Sequence, residues 1–420
     1  MEQCEEWLPV LTEVKNKNIK NDPSGRENIL IEGDNYHALS VLNYTHRGKI
    51  DVIYIDPPYN RGKDFMYNDK LVDEQDGYKH SKWLSFMNKR LQLAKKCISR
   101  KGLIFISIDD TEQEQLKMLC NEIFGEGNFI ASIIWQKKQS PQNDAKYFSD
   151  MHDFILVYVK QINRGGSDEG WKKNLLPRTE RAIDRYKNPD NDPRGVWSSG
   201  GLDVKTYSAE YDYPIITPSG RKVIPPSGSC WRVGSERFQE WVKDNRIWFG
   251  KNGDNVPRIK RFLSDTQQGM VPTTWWDRKF AGDNQEAKQE LKRILTEQSD
   301  MFDTPKPLRL IKRVLQIASH KDSIILDFFA GSGTTGHAVL EMNKEDGGNR
   351  QFILCTDNEN DICTNVCHPR LENVMNGYSF TGTERKELYK KKLTVTSLKG
   401  ITSIFSKMDE IKESHADQFD

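Results

Sequence analysis

The sequence lacks any long apolar run. No stretch of its 420 residues approaches the roughly 20 that a membrane-spanning helix needs. Mean hydropathy is −0.74 and 29% of residues are charged, which predicts a chain without a bilayer span. The opening "MEQCEEWLPV" has no basic leader and no apolar segment, so no secretion signal is expected. Cysteine is scarce: seven residues, scattered and odd in number. Cys363 and Cys367 are the nearest pair, followed by His368, but no CxxC stands elsewhere to complete a zinc site. Free thiols in a reducing cytoplasm are expected instead. His37, His46, His80, His152 and His337 show no ligand spacing, so they are read as structural and no metal is expected. Excess charge is lacking too, with 62 Lys and Arg against 61 Asp and Glu. An anionic partner must therefore be met by local basic patches, because the whole chain has no field to offer. No internal repeat is present, which argues against a solenoid.

What is present is a rhythm of strands and helices. "ILIEG" (29–33), then Asp34 and the apolar spacing through Leu39 and Leu42, predict strand, turn and helix. "IDVIYID" is a near-continuous apolar run, typical of a parallel strand covered on both faces. Residues 81–99 space Trp83, Phe86, Leu91, Ala94 and Ile98 as a helix that Gly102 stops, and "LIFISID" predicts the next strand. "DDTEQEQLKMLCNEIFG" offers Asp and Thr as caps and ends at Gly125. The rhythm fades after about 135 and returns at about 301 with "LRLIKRVLQIAS" (308–319), "SIILDFFAGSGTTGHAVLEMNK" and "RQFILCT". This alternation predicts an α/β, Rossmann-like fold with a mostly parallel sheet, split by an inserted domain. The expected divisions are an arm at 1–28, a first part of the sheet domain at 29–160, an insert at 161–300, a second part at 301–378 and a polar tail at 379–420.

The interrupting stretch has its own composition. Seven of the ten tryptophans fall in it: Trp171, Trp197, Trp231, Trp241, Trp248, Trp275 and Trp276. Residues 160–279 hold 22 Lys and Arg against 15 Asp and Glu. Most of these tryptophans are expected to anchor a small irregular core, with the pair at 275–276 the least suited to it. "NVPRIKRF" (255–262) is the basic run best suited to phosphates, through Arg258, Lys260 and Arg261.

Two constellations carry chemistry. "DFFAGSGTTG" sets Gly331, Gly333 and Gly336 in a GxGxxG pattern between strand and helix. No Lys follows the last glycine, so it is not a phosphate-binding P-loop. A NAD site would aim the helix end at a pyrophosphate. Here Asp327 ends the strand and two phenylalanines follow, which suits a ligand carrying an ammonium and an adenine or sulfonium. "FILCTDNE" places Thr356, then Asp357, where an acid for a ribose is expected, and the sequence does not decide which of the two, if either, holds it. The second constellation is "DPPYN". Pro57 and Pro58 lack N–H groups and fix φ, so the chain after Asp56 is rigid and pairs with no strand. Asp56 and the Pro57 carbonyl can accept hydrogen bonds from an amino group, and Tyr59 can stack on an extruded base at about 1–3 kcal/mol. Lys306, between two prolines in "TPKP", is held near a helix start and could pair with a carboxylate of the same ligand.

Together these segments resemble the β-class DNA amino-methyltransferases, whose order is catalytic motif, target-recognition insert and methyl-donor motif. "LIEGDNYHALSVL", "VIYIDPPYNRGKDFMYND", "KWLSFMNKRLQLAKKC", "ISIDDTEQEQLKMLCNEIFGEGNFI" and "TPKPLRLIKRVL" are most similar to the modification (Mod) subunits of type III restriction systems. The resemblance covers roughly 28–160 and 300–378. It implies a bacterial or phage-encoded, cytoplasmic enzyme that uses S-adenosylmethionine and methylates N6 of a flipped-out adenine in double-stranded DNA. Asp56, Pro57, Pro58 and Tyr59 would be catalytic. Asp34, Asp56, Lys306, Asp327, Phe328, Phe329, Gly331, Gly333, Thr334 and Asp357 would line the cofactor. Trp275 and Trp276 join Arg258, Lys260 and Arg261 as DNA contacts. A homodimer and a restriction (Res) subunit are the implied partners. Type III modification subunits are often longer, so a compact relative or a solitary methyltransferase is expected. The alternatives are an N4-cytosine methyltransferase, a methyltransferase for glutamine or RNA amines, a NAD-dependent oxidoreductase resting on the glycine pattern, and a catalytically dead DNA-binding subunit.

Overall fold

The computed structural model describes residues 9–19, 27–61, 78–163, 170–295, 302–378, 389 and 401–414. Eight strands form one mixed sheet: β1 (Ile29–Glu32), β2 (Ile50–Ile55), β3 (Ile98–Ile108), β4 (Phe129–Gln136), β5 (His152–Val159), β9 (Trp275–Trp276), β10 (Ile324–Asp327) and β11 (Gln351–Thr356). The order across it is β1-β11-β10-β2-β3-β5-β4-β9. Pairing is parallel except on the two sides of β5. The two halves of the chain interleave, since β10 and β11 slot between β1 and β2. That is why segments some 270 residues apart in sequence meet at one sheet edge, as the split-domain reading requires.

Alternation along β2 builds both layers. Ile53 and Ile55 face a core with α1 (Asn35–Thr45), α2 (Lys79–Cys97) and α3 (Gln113–Phe124). Val52 and Tyr54 face the other core, with α6 (Leu308–Ala318) and α7 (Thr334–Asp346). Every side chain named on β2 here is at most 2% exposed. At roughly 25 cal/mol per Å² of apolar surface, such two-sided burial is what stabilises the sheet. Two expectations are corrected locally. Ile98 is not helical: β3 starts there, because Ile98 pairs with Ile50, and Gly102 lies inside the strand, where a Cβ would strike the Ile50 carbonyl at 2.7 Å. Neither Asp nor Thr caps α3 by its side chain. Asp109 accepts the Thr111 N–H at 2.9 Å instead.

The interrupting stretch contains β6 (Trp197–Gly201), β7 (Ile247–Trp248), β8 (Arg258–Phe262) and α4 (Ser235–Lys243). It has a small core of its own, with Leu202, Ile215, Val223, Trp231, Phe238, Ile247 and Phe249. The chain is back in the main sheet at Trp275, before the expected boundary at 300. It then continues through α5 (Asn284–Ile294). Residues 1–376 form one compact unit and 377–420 a second, which contains α9 (Ile401–Ser414); α8 (His368–Asn376) closes the first. No helix among the described residues is long and apolar enough to cross a membrane.

Candidate active site

The site gathers at the carboxyl ends of parallel strands, where open α/β sheets place their ligands. Asp56 follows β2, Asp327 ends β10 and Thr356 ends β11. All three line one cleft of about 620 Å³, together with Pro57, Pro58, Tyr59, Lys306, Phe329, Gly331 and Asp357.

Asp56 is its hub. Tyr59 Oη donates to Asp56 Oδ1 at 2.8 Å, and Lys306 Nζ donates to Oδ2 at 2.5 Å. Lys306 is 9% exposed and lies 5.2 Å from the Tyr59 ring centroid and 5.9 Å from that of Trp135. Burial and the Asp56 carboxylate push the Tyr59 phenol well above its ordinary pKa, so it stays a protonated donor. The turn is rigid for reasons beyond proline. Trp83 Nε1 donates to the Pro58 carbonyl at 2.7 Å, and Asn60, left-handed at φ 62°, donates to the buried Glu112 at 2.6 Å. The Pro58 carbonyl is thus engaged. Each Asp56 oxygen has two lone-pair directions, so each can accept a second donor.

The glycine loop forms the facing wall. Gly331 and Gly333 are left-handed (φ 47° and 75°); a Cβ would meet the Phe302 ring at 2.8 Å and Cys367 Sγ at 3.0 Å. Asp327 serves the loop itself: it accepts the Phe329 N–H at 3.0 Å and the Thr335 hydroxyl at 2.5 Å. Burial pushes its carboxyl up to about 7. Beneath the loop the buried Arg370 donates to Thr334 Oγ1 at 2.8 Å and to Ser332 Oγ at 3.1 Å. Burial, and then Arg370, lower His337 to about 3, so it remains neutral.

Not every expected residue faces the cleft with its side chain free. Asp34 is spent on the fold. It caps α1 by accepting from Tyr36 N at 2.8 Å, and pairs with Arg90 at 2.9 Å. Phe328 is fully buried in the core, whereas Phe329 is partly exposed against Phe86, with centroids 6.1 Å apart. The Thr356 hydroxyl donates to the Asp357 carbonyl at 3.2 Å. That leaves the Asp357 and Glu359 carboxylates in the cleft, with no cation paired to them among the described residues. Of the expected DNA contacts, Lys260 is a buried counter-ion, 1% exposed and bonded to Asp190 and to Asp192 (3.1 Å), so no charge is left over for a phosphate. Trp276 is fully buried in the sheet core against Phe280, while Trp275 is 59% exposed. Arg258 and Arg261 are exposed.

One part of the cleft was missed from sequence. Lys137, past the end of β4, donates to Asp153 at 2.8 Å and to Asp150 at 2.5 Å. Lys137 and Asp153 are each 4% exposed and both line the cleft. Arg61 ties the same Asp150, at 3.7 Å, to Asp109, so the end of β3 and the start of β5 are joined just after the Tyr59 turn. Burial raises the Asp153 carboxyl above its usual range. The available signal was two pairs of polar residues, "QK" at the close of one strand and "HD" at the opening of the next, in strands that otherwise read as apolar.

Comparison with known proteins gives the family. The DNA methylase family matches residues 50–394. The StyLTI Mod subunit, a type III restriction-modification enzyme subunit of Salmonella typhimurium, is 36% identical over 78% of this chain and 52% of its own length. The EcoPI Mod subunit of Escherichia phage P1 is 30% identical over 83% of this chain and 60% of its own. This chain therefore spans little more than half the length of those two relatives. The type II methyltransferase M.KpnI of Klebsiella pneumoniae is 33% identical over 84% of this chain and 85% of its own. With the family matched across most of the chain and relatives above 30% identity, the chain belongs to the DNA methylase family.

Proposed function

We propose that this chain transfers a methyl group from S-adenosylmethionine to N6 of an adenine flipped out of double-stranded DNA. The observation that carries the reading is Asp56: a carboxylate on a proline-fixed turn, 23% exposed at its side chain, in one cleft with the glycine loop. An amino group on an aromatic base is a poor nucleophile because its lone pair is conjugated with the ring. Asp56 Oδ1 and the Pro57 carbonyl accept its N–H bonds and orient the lone pair out of conjugation. Tyr59 offers its ring to the base, which lowers the cost of extrusion. Lys306 and the Tyr59 hydroxyl hold both Asp56 oxygens in place, where an error of about 1 Å can cost a hundredfold. Phe329, Gly331, Gly333, Asp357 and Glu359 suit the cofactor: an aromatic edge, two glycines with no room for a side chain, and two carboxylates for hydroxyls. Bound S-adenosylmethionine would supply the activated methyl group.

The names of the Mod-subunit relatives support a place in a restriction-modification system. A homodimer and a restriction (Res) subunit belong to the proposal as partners, in a bacterial cytoplasm. Labelled methyl transfer to unmethylated DNA tests the reading, and nucleoside analysis of the product separates N6-methyladenine from N4-methylcytosine. Full activity in Asp56→Ala would sink the mechanism.

A further inference from the structure

The interrupting stretch holds a second cavity, away from the cleft, of about 250 Å³. It is lined by Arg185, Lys187, Trp197, Trp248, Asn255 and Arg258, among others. Its cations differ from their neighbours. Lys260, Arg194 and Arg246 are all paired with aspartates. Arg185 and Lys187 are exposed and pair with no carboxylate among the described residues, and Arg258 reaches only the Ser199 carbonyl, at 3.5 Å. Asp190 and Asp192 are already matched, because Lys260 takes both and Arg194 takes Asp192 as well. Three cations with no carboxylate partner among the described residues thus line a concave site.

The aromatic element in that site is fixed in place. Trp197 is 4% exposed, donates its indole N–H to Asp190 at 2.9 Å, and backs Trp248 at 5.4 Å between centroids, tilted by 58°. Trp248 is half-buried, on a strand that pairs with Arg258. An indole in the lining of a cavity, backed by a second and anchored indole and accompanied by three cations, matches a nucleotide in both parts: stacking for the ring and charge for the phosphates. Contact with an intact duplex backbone would need the cations but no cavity with an indole in it.

We propose that this cavity binds one unstacked nucleotide of a DNA strand. Its base would lie on Trp248 and its flanking phosphates on Arg185, Lys187 and Arg258. The site would thus hold the strand at a point separate from the base being modified. The proposal rests on the reading of the chain as a protein that acts on DNA.

Fluorescence anisotropy on the full chain tests it with two labelled probes of equal length: a single-stranded oligodeoxynucleotide and its abasic counterpart. Trp248→Ala is expected to weaken the first roughly tenfold and the second not at all. Trp248→Phe, which keeps a ring, should recover most of the loss, and this guards against an effect of misfolding. Arg185→Gln with Lys187→Gln and Arg258→Gln should weaken both probes and flatten their salt dependence. Equal binding of the base-bearing probe by Trp248→Ala and wild type overturns the proposal, as does an equal loss on both probes. If wild type methylates DNA while either of those results holds, the cavity is wrongly assigned and the function stands. If wild type neither binds nor methylates DNA, the functional reading fails and takes the cavity with it.

Discussion

Two lysines, one in the cleft and one in the interrupting stretch, sit in closely similar surroundings. Lys306 is 9% exposed, bonds Asp56 and lies 5.9 Å from the centre of an indole, that of Trp135. Lys260 is 1% exposed, bonds Asp190 and Asp192 and lies 5.5 Å from the centre of another, that of Trp197. The difference is in the acids. The Asp56 side chain is 23% exposed and opens on a large cleft, whereas that of Asp192 is fully covered. Asp192 is held well below the usual carboxylate range, first by Arg194 and then by Lys260. The same kind of ion pair thus positions an acceptor that a ligand can reach, Asp56, and locks a covered one, Asp192, into the interrupting stretch.

The largest effect separates those two roles. Asp56→Asn keeps the shape of the turn but weakens its acceptor, and methyl transfer should fall about a thousandfold, or about 4 kcal/mol of barrier. The thermal midpoint should stay close to wild type, because Lys306 can reach the water of the cleft. Lys260→Met should do the opposite. Two acids would lose their buried counter-ion, at about 3 kcal/mol by denaturant unfolding, while methyl transfer per folded molecule drops less than about tenfold. A catalytic collapse in Lys260→Met with normal stability would break the comparison.

A smaller effect tests the cleft wall. Gly333→Ala places a Cβ 3.0 Å from Cys367 Sγ at a left-handed φ of 75°. The strain is about 1–2 kcal/mol, and titration calorimetry should show S-adenosylmethionine binding weakened by roughly tenfold. Unchanged binding would remove the loop from the cofactor's site.

Much of the cleft was legible because its parts are local. "IDVIYID" and "SIILD" are strands by their apolar runs, and prolines and glycines mark where each must stop. The meeting of Asp56, Lys306 and the glycine loop was legible only through family resemblance, since it depends on β10 slotting beside β2. Three things were not legible. Lys137 and Asp153 become neighbours through an antiparallel pairing that breaks the parallel rhythm. Arg370 reaches the glycine loop from a helix more than 30 residues on. Lys260 looked like part of a basic surface run, but it is buried as Phe262 is, because two acids far off in sequence compensate its charge. Composition reports how much charge there is, while only the tertiary structure decides which charges are already matched.

Asp327 supplies the mildest test, and it turns on the opposite sign from Asp192. Burial raises its carboxyl to about 7 in the folded chain, against an ordinary value near 4. Between those values the folded state holds a proton that the unfolded state has released. Stability from this group therefore falls as pH rises through that window and levels off above about 7. Asp327→Asn is neutral throughout and keeps an oxygen for the Phe329 N–H, so it should escape that loss. The Tm of the variant relative to wild type should climb from pH 5 to pH 8 by a few degrees. For Asp192 the low folded value means its contribution holds above about 4 and is lost only on acidification, so Asp192→Asn should show no such climb. A Tm difference for Asp327→Asn that is flat across pH 5–8 would mean that the carboxyl under the glycine loop is already ionised. The donors from Thr335 and Phe329 would then outweigh burial, and the loop would carry a full negative charge beneath the ligand.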